Sequence, residues 1–164
     1  MAIDESQLLA CHARLEKPLH NVLYRRLWDA HECQDVIQET FLALWDRRAR
    51  IVAATLDAFA WTTALNLAKN RLRWRTLRRY VALEDAHDAP DPSLTPEQLA
   101  SQSRVRVALE ALDARLRDVL LLAEIAGLAT NEIAAVLAIA PGTVGSRKHE
   151  ATRRLRALLG EADE

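Results

Sequence analysis

The sequence predicts an all-α fold of two small helical domains joined by an acidic, proline-containing linker, the C-terminal one a helix-turn-helix. Three observations carry this expectation. Apolar residues recur at helical spacing along most of the chain, strand-type alternation is absent, and composition changes abruptly after Val81. The 164 residues suffice for one ordinary domain or two small ones. The break after Val81 favours two, with domains at 1–81 and 96–164 and a linker at 82–95.

From Ser6 to Trp28 the residues Leu8, Leu9, Leu15, Leu19, Val22, Leu23, Leu27 and Trp28 follow a helical period. Pro18 is expected to divide this stretch into two helices, because an internal proline removes a hydrogen bond and crowds the preceding turn. Asp29 to Cys33 reads as a short connection, followed by a helix from Asp35 to about Arg47. Its Ile37, Phe41, Leu44 and Trp45 fall on one face, fit for a core, while Asp35, Gln38, Glu39 and Leu42 are left for a partner. Arg47, Arg48 and Arg50 sit at its end as solvated charges against the helix dipole. Ile51 to Leu56 reads as a loop, with Thr55 or Asp57 available to cap the next helix, about Ala58 to Arg79.

That helix carries Phe59, Leu65, Leu67, Leu72 and Leu77 as its apolar set, with Trp61 and Trp74 on the same stretch. It also carries Lys69, Arg71, Arg73, Arg75, Arg78 and Arg79, with no carboxylate between Trp61 and Tyr80. A cationic run is often only a solvated face. Here the uncompensated charge, the interleaved Asn66 and Asn70 and the aromatics favour nucleic acid, since phosphate neutralisation, amide-to-base bonds and stacking are all available.

Glu84 to Ser93 is acidic and contains Pro90 and Pro92, which makes it an extended connector. Thr95, Pro96 and Gln98 then restart a helix as N-cap, first helical residue and capping-box partner. Helices are expected at about Pro96–Leu112, Ala114–Ala126, Asn131–Leu137 and Pro141–Leu159, with Gly127 in a left-handed position and Thr130 capping the third. The short helix, the tight Ala138–Ala140 connection and the longer helix from Pro141 have the lengths of a DNA-binding helix-turn-helix. Ile133, Ala134, Val136, Leu137, Ile139 and Val144 would form its core, and Thr143, Ser146, Arg147, Lys148, His149, Arg153, Arg154 and Arg156 its outward surface.

The net charge of −1 hides a segregated distribution. Residues 1–80 carry 13 Lys/Arg against 9 Asp/Glu, residues 81–100 none against 5, and residues 101–164 carry 9 of each. No apolar run approaches the ~20 residues of a membrane span, and the N-terminus lacks the basic-then-apolar pattern of a signal sequence, so a cytoplasmic protein is expected. Cys11 and Cys33 do not make a disulfide framework and would stay as thiols. Cysteine and histidine are scattered, at Cys11-His12, His20, His31-x-Cys33, His87 and His149, without the paired spacing of a zinc site. No phosphate loop, serine elbow or carboxylate pair is present. Neither an enzyme nor a cofactor or metal is expected.

Separate stretches along the chain resemble one family, the extracytoplasmic-function (ECF) sigma factors of bacterial RNA polymerase, within the sigma-70 family. Asp35-Val36-Ile37-Gln38-Glu39-Thr40-Phe41-Leu42-Ala43-Leu44-Trp45 is similar to the polymerase-binding helix of sigma region 2. Thr63 to Leu72 resembles the promoter-reading helix that follows it. Ala123 to Leu128, Glu132 to Ala134 and Gly142 to Arg147 resemble region 4. The ordered set covers nearly the whole chain.

The resemblance implies that Asp35, Gln38, Glu39 and Leu42 contact the clamp helices of the polymerase β′ subunit, with the β flap as a further contact of the core enzyme. It implies that Asn66, Lys69, Asn70 and Arg73 engage the minus-ten element, with the loop at about Arg48–Leu56 holding an unstacked base. The acidic linker would thread a positively charged channel of the polymerase. Thr143, Gly145, Ser146, Arg147, His149 and Arg153 would engage the minus-thirty-five element, Arg147, Arg153 and Arg154 mainly through phosphates or the core. An anti-sigma factor would cover such surfaces in the free protein, as an apolar and acidic partner on Asp35–Trp45 or on Gly127–Leu159. The sequence departs from the family pattern in four places. Gly145 and Glu150 replace residues that are commonly basic, Ala138 stands where glycine is usual, and Ala140 replaces a hydroxyl cap. Glu150 would accept from a cytosine amino group or remain solvated. The competing reading is a two-domain DNA-binding regulator that acts without polymerase, which leaves the Asp35–Trp45 surface and the acidic linker unexplained.

Overall fold

The computed structural model describes residues 2–82 and 91–160, with Ala82 described in its backbone alone. It is all-α: α1 Glu5–Leu27, α2 Ala30–Arg47, α3 Leu56–Ala82, α4 Pro96–Ala111, α5 Ala114–Leu120, α6 Thr130–Leu137 and α7 Pro141–Leu159. Among the described residues the only extended pairing is an isolated bridge between Ala2 and Val52. The described residues fall into two compact units, the first formed up to residue 82 together with Ala135–Leu137, the second by the remainder from Asp91. The expected linker at 82–95 lies largely at 83–90, outside the described residues.

In the first unit α1, α2 and α3 pack on one another around Leu19, Val22, Leu23, Leu27, Val36, Ile37, Leu44 and Trp61, all at most 2% exposed. Each buried side chain of this size stabilises by about 1.5–3 kcal/mol relative to exposure, before the entropy of ordering is counted. α1 begins at a capping box in which the Asp4 carboxylate accepts from Gln7 N at 2.8 Å and Asp4 N donates to Gln7 Oε1 at 3.0 Å. It runs unbroken through Pro18, against the expectation of two helices. Proline costs one backbone bond and crowds one turn, but Leu15, Leu19, Val22 and Leu23 on both sides of it are buried, and their burial holds the helix together.

The Asp29–Cys33 connection is likewise shorter than expected. Trp28 takes a left-handed φ of 54° to end α1, and Asp29 caps α2 by accepting from Glu32 N at 3.0 Å. The expected loop after α2 holds two 3₁₀ turns, Arg48–Arg50 and Ala53–Thr55, pinned by Ile3 N donating to the carbonyls of Arg48 and Ile51. Neither Thr55 nor Asp57 caps α3: Thr55 Oγ1 donates to Val52 O, and Asp57 accepts from Arg14 at 2.6 Å and from the Cys11 thiol at 3.4 Å.

The second unit opens at the expected box, Thr95 Oγ1 accepting from Gln98 N at 3.2 Å and Thr95 N donating to Gln98 Oε1 at 2.9 Å, with Pro96 first in α4. Leu109, Leu112, Val119, Leu122, Ile133, Val144 and Ala151 form its core. α5 continues into a π turn, Leu121–Ile125, where Ala126 N donates to Leu121 O at 3.1 Å. Gly127 then takes the expected left-handed backbone, φ 69°. Thr130 is not the cap of α6. Ala129 stands at that position, and its N–H donates to the Glu132 carboxylate at 2.6 Å, the half of a capping box that needs no hydroxyl. Ala138 ends α6 with φ 53°, a conformation a methyl-bearing residue disfavours.

Candidate nucleic-acid and partner interface

Four residues of α2 singled out from the sequence, Asp35, Gln38, Glu39 and Leu42, are all exposed and fall at i, i+3, i+4 and i+7, so they form one stripe. Leu42 is 57% exposed. The opposite face buries Val36, Ile37, Thr40, Phe41 and Leu44. Trp45, expected in the core, is 37% exposed, and the Arg48 guanidinium lies 4.1 Å from its ring centroid. Between α1 and α2 an open groove of about 560 Å³ is walled by Leu8, Leu9, Phe41, Leu42 and Trp45, with Glu5, Gln34 and Gln38 among its polar lining.

On α3 the corresponding set, Asn66, Lys69, Asn70 and Arg73, is also exposed at i, i+3, i+4 and i+7. The core side is held by Ala60, Trp61, Ala64, Leu65 and Ala68. The cationic run is not uniform, however. Arg71 pairs with Glu39 at 2.5 Å, and Arg75 pairs with Glu32 while donating to Leu27 O at 2.8 Å. These arginines face α2 and brace it. Lys69, Arg73, Arg78 and Arg79 have no ion pair among the described residues. The two bracing pairs join residues 32 and 43 apart in sequence, so neither could be read from local spacing.

On α7, Gly145, Ser146, His149 and Arg153 lie together on the exposed face, away from buried Val144 and Ala151, while Thr143 and Arg147 are half-buried at its side. Ser146 Oγ donates to Thr143 O at 3.1 Å, and Lys148 is tied at 3.0 Å to Glu124 of the π turn. Glu150 lies between two arginines of its own helix. It accepts from Arg153 at 2.8 Å and Arg154 at 2.6 Å, and these bonds, Arg153 first, hold its carboxyl below the usual range. A Cβ added at Gly145 would meet nothing within 4 Å.

Both cysteines are buried free thiols. Burial is the main cause that pushes each up to about 12, helped at Cys11 by Asp57 and at Cys33 by the charges of Asp29 and Glu32. A thiol held protonated is a poor nucleophile and a poor metal ligand. Among the described residues no group of three or more Cys, His, Asp or Glu is placed to hold a metal, and no helix is long and apolar enough to cross a membrane.

The Sigma-70 region 2 family matches residues 12–78, and the Sigma-70, region 4 family matches residues 102–155. The chain is 34% identical over 164 residues to the ECF RNA polymerase sigma factor SigL of Mycobacterium tuberculosis, covering 93% of each. It is 31% identical over 160 residues to the RNA polymerase sigma factor CarQ of Myxococcus xanthus, covering 92% of this chain and 88% of CarQ. Among solved structures, CnrH in complex with the cytosolic domain of CnrY superposes with a TM-score of 0.74 at 25% identity, covering 98% of this chain and 92% of CnrH. The sigma factor RpoE in complex with the anti-sigma factor NepR from Bartonella quintana shares the fold, with a TM-score of 0.69 at 21% identity and 97% and 98% coverage.

Proposed function

The chain belongs to the ECF sigma factors of the sigma-70 family, and from that premise we propose how its surfaces divide the work of promoter recognition and transcription initiation. Asp35, Gln38, Glu39 and Leu42 dock on the β′ clamp helices of RNA polymerase core, Asn66, Lys69, Asn70 and Arg73 engage the minus-ten element, and the outer face of α7 engages the minus-thirty-five element. The observation that carries this division is the pair of exposed stripes on α2 and α3, each opposite its helix's buried face, with Arg71–Glu39 and Arg75–Glu32 bracing one helix against the other. A partner held by α2 is thereby held in fixed register with DNA on α3.

Such a protein works by binding, in the cytoplasm, and the polymerase is the catalyst. Carboxylates on α2 call for basic or amide groups across the interface, and cations on α3 call for phosphates. The α1–α2 groove, apolar walls with a polar rim, suits an apolar helix of an anti-sigma factor, which would mask the polymerase-docking stripe beside it.

Binding to core polymerase tests the division. Asp35→Ala with Glu39→Ala is expected to weaken assembly on the order of a hundredfold, as truncated charge partners at interfaces do. Arg71→Ala, which removes the ion pair but keeps the Glu39 carboxylate, should weaken it far less. Unchanged assembly and unchanged run-off transcription from a promoter library would favour the regulator that acts without polymerase.

A further inference from the structure

The stretch between α2 and α3 turns almost everything it carries outward. From Arg48 to Thr55 only Ile51 is buried, and every other residue is exposed. Arg47 and Arg50 have no ion pair among the described residues. A loop with one buried anchor has little of its own to hold its shape, yet two of its carbonyls are fixed from outside. Ile3 N donates to both, to Arg48 O at 3.3 Å and to Ile51 O at 3.2 Å, and Ala2 pairs with Val52 in an isolated antiparallel bridge. The loop's other hydrogen bonds among the described residues are local, as where Ile51 N donates to Arg48 O, Thr55 N and Oγ1 to Val52 O, and Arg48 Nη1 to Trp45 O.

Residues 2–4 thus form a short strap across the loop. Its far end is closed by the capping box of Asp4 and Gln7 that starts α1. At its middle Ile3 is 4% exposed, buried as Ile51 is, so apolar burial and a shared N–H act on the same stretch of chain. The three helices are joined by their own buried faces. What the strap fixes is the shape of an outward, cationic loop. A loop held in its binding shape does not have to be ordered when its ligand arrives, and the ligand is bound more tightly for it.

We propose that Ile3 is a positioning residue for promoter melting: through the Arg48 and Ile51 carbonyls, the strap holds the 48–55 loop in the shape that receives an unstacked base of the minus-ten element. This role rests on the reading of the loop as the receptor of that base, and adds to it the residue that sets the receptor's geometry. Ile3 itself touches no DNA. A disturbed strap therefore costs affinity that depends on the captured base and spares affinity that does not.

The test uses holoenzyme assembled from core polymerase and the full chain, titrated with forked DNA of a promoter selected by run-off transcription. One probe is intact, and each of the others carries a single abasic site at one minus-ten position of the displaced strand. Wild type should bind about tenfold more weakly when the captured base is the one removed. Ile3→Pro, which removes the N–H shared by the two carbonyls, is expected to shrink this intact-to-abasic ratio to about twofold, with affinity for the abasic probe and for core polymerase unchanged. Ile3→Val keeps the donor and most of the burial and should restore the ratio. Helicity and tryptophan emission report whether each variant folds. If Ile3→Pro does not, Ile3→Ala, which keeps the donor and empties the buried site, is read in its place and should lower the ratio about threefold. A wild-type ratio in the folded strap variants overturns the role of Ile3, as does an equal loss on intact and abasic probes. A wild type equally tight on every abasic probe overturns the loop reading itself, and the role of Ile3 with it.

Discussion

Helices α3 and α7 place their acids differently. Along the cationic half of α3 the carboxylates lie on a neighbouring helix, Glu39 and Glu32 of α2 binding Arg71 and Arg75, while at its start Asp57 of α3 pairs with Arg14 of α1. Acids spent between helices brace the first unit, and Lys69 and Arg73 on the outward face of α3 have no ion pair among the described residues. On α7 the acid lies on the helix itself, where Glu150 holds Arg153 and Arg154 at i+3 and i+4. Pairs of that kind add only a few tenths of a kcal/mol to a helix, yet they neutralise charge that phosphates would otherwise meet. The comparison teaches that α3 relies on acids of other helices to fix some of its arginines, whereas α7 offsets two of its own from within and leaves Ser146 and His149 exposed beside them.

Releasing the two arginines is the strongest way to break this contrast. Glu150→Gln should raise affinity for a minus-thirty-five duplex about tenfold and steepen its salt dependence by one to two in slope, about 0.9 for each phosphate gained. Electrophoretic mobility at several salt concentrations measures both, and an unchanged slope would mean the arginines never reach DNA.

Alkaline pH should separate the units next. The unfolded chain loses thiol protons near pH 9.0 while the folded first unit holds Cys11 and Cys33 up to about 12. Their contribution is therefore complete below pH 9 and is lost as pH rises towards 12, because the unfolded state sheds protons first. All four tryptophans and both cysteines belong to the first unit, so tryptophan fluorescence in urea follows it alone. The midpoint should fall from pH 9 to pH 10.5 in wild type and fall less in Cys11→Ala with Cys33→Ala.

The smallest effect belongs to the second unit. Ala138→Gly relieves a left-handed alanine and should stabilise the helix-turn-helix by about 1 kcal/mol, visible by circular dichroism but silent in fluorescence. DNA affinity should not change, since Ala138 lies in the turn outside the exposed face of α7.

Helix periodicity made the all-α class, the start of α4 and the full span of α7 legible, because local capping chemistry at Thr95, Pro96 and Gln98 and the apolar residues of α7 agree with the final packing. What stayed hidden was set by tertiary neighbours. Pro18 reads as a break until burial on both sides of it is known, and Trp45 reads as core until Arg48 is seen covering its ring. The split of the α3 cations into bracing and outward sets depends on partners 32 and 43 residues away. Glu150 was the exception that spacing alone could have resolved, since arginines at i+3 and i+4 are its nearest possible partners on a helix.

The π turn at Leu121–Ile125 bears on how the chain aligns with its relatives. A ring closed from i to i+5 holds one residue more than an α turn, so the helix there accommodates a surplus residue without shifting the register of Leu120 before it or Gly127 after it. A relative one residue shorter in this stretch would keep the same flanking positions and close the turn as ordinary α-helix. Such a relative would present the helices that follow in the same register, because the surplus residue is absorbed within the turn itself.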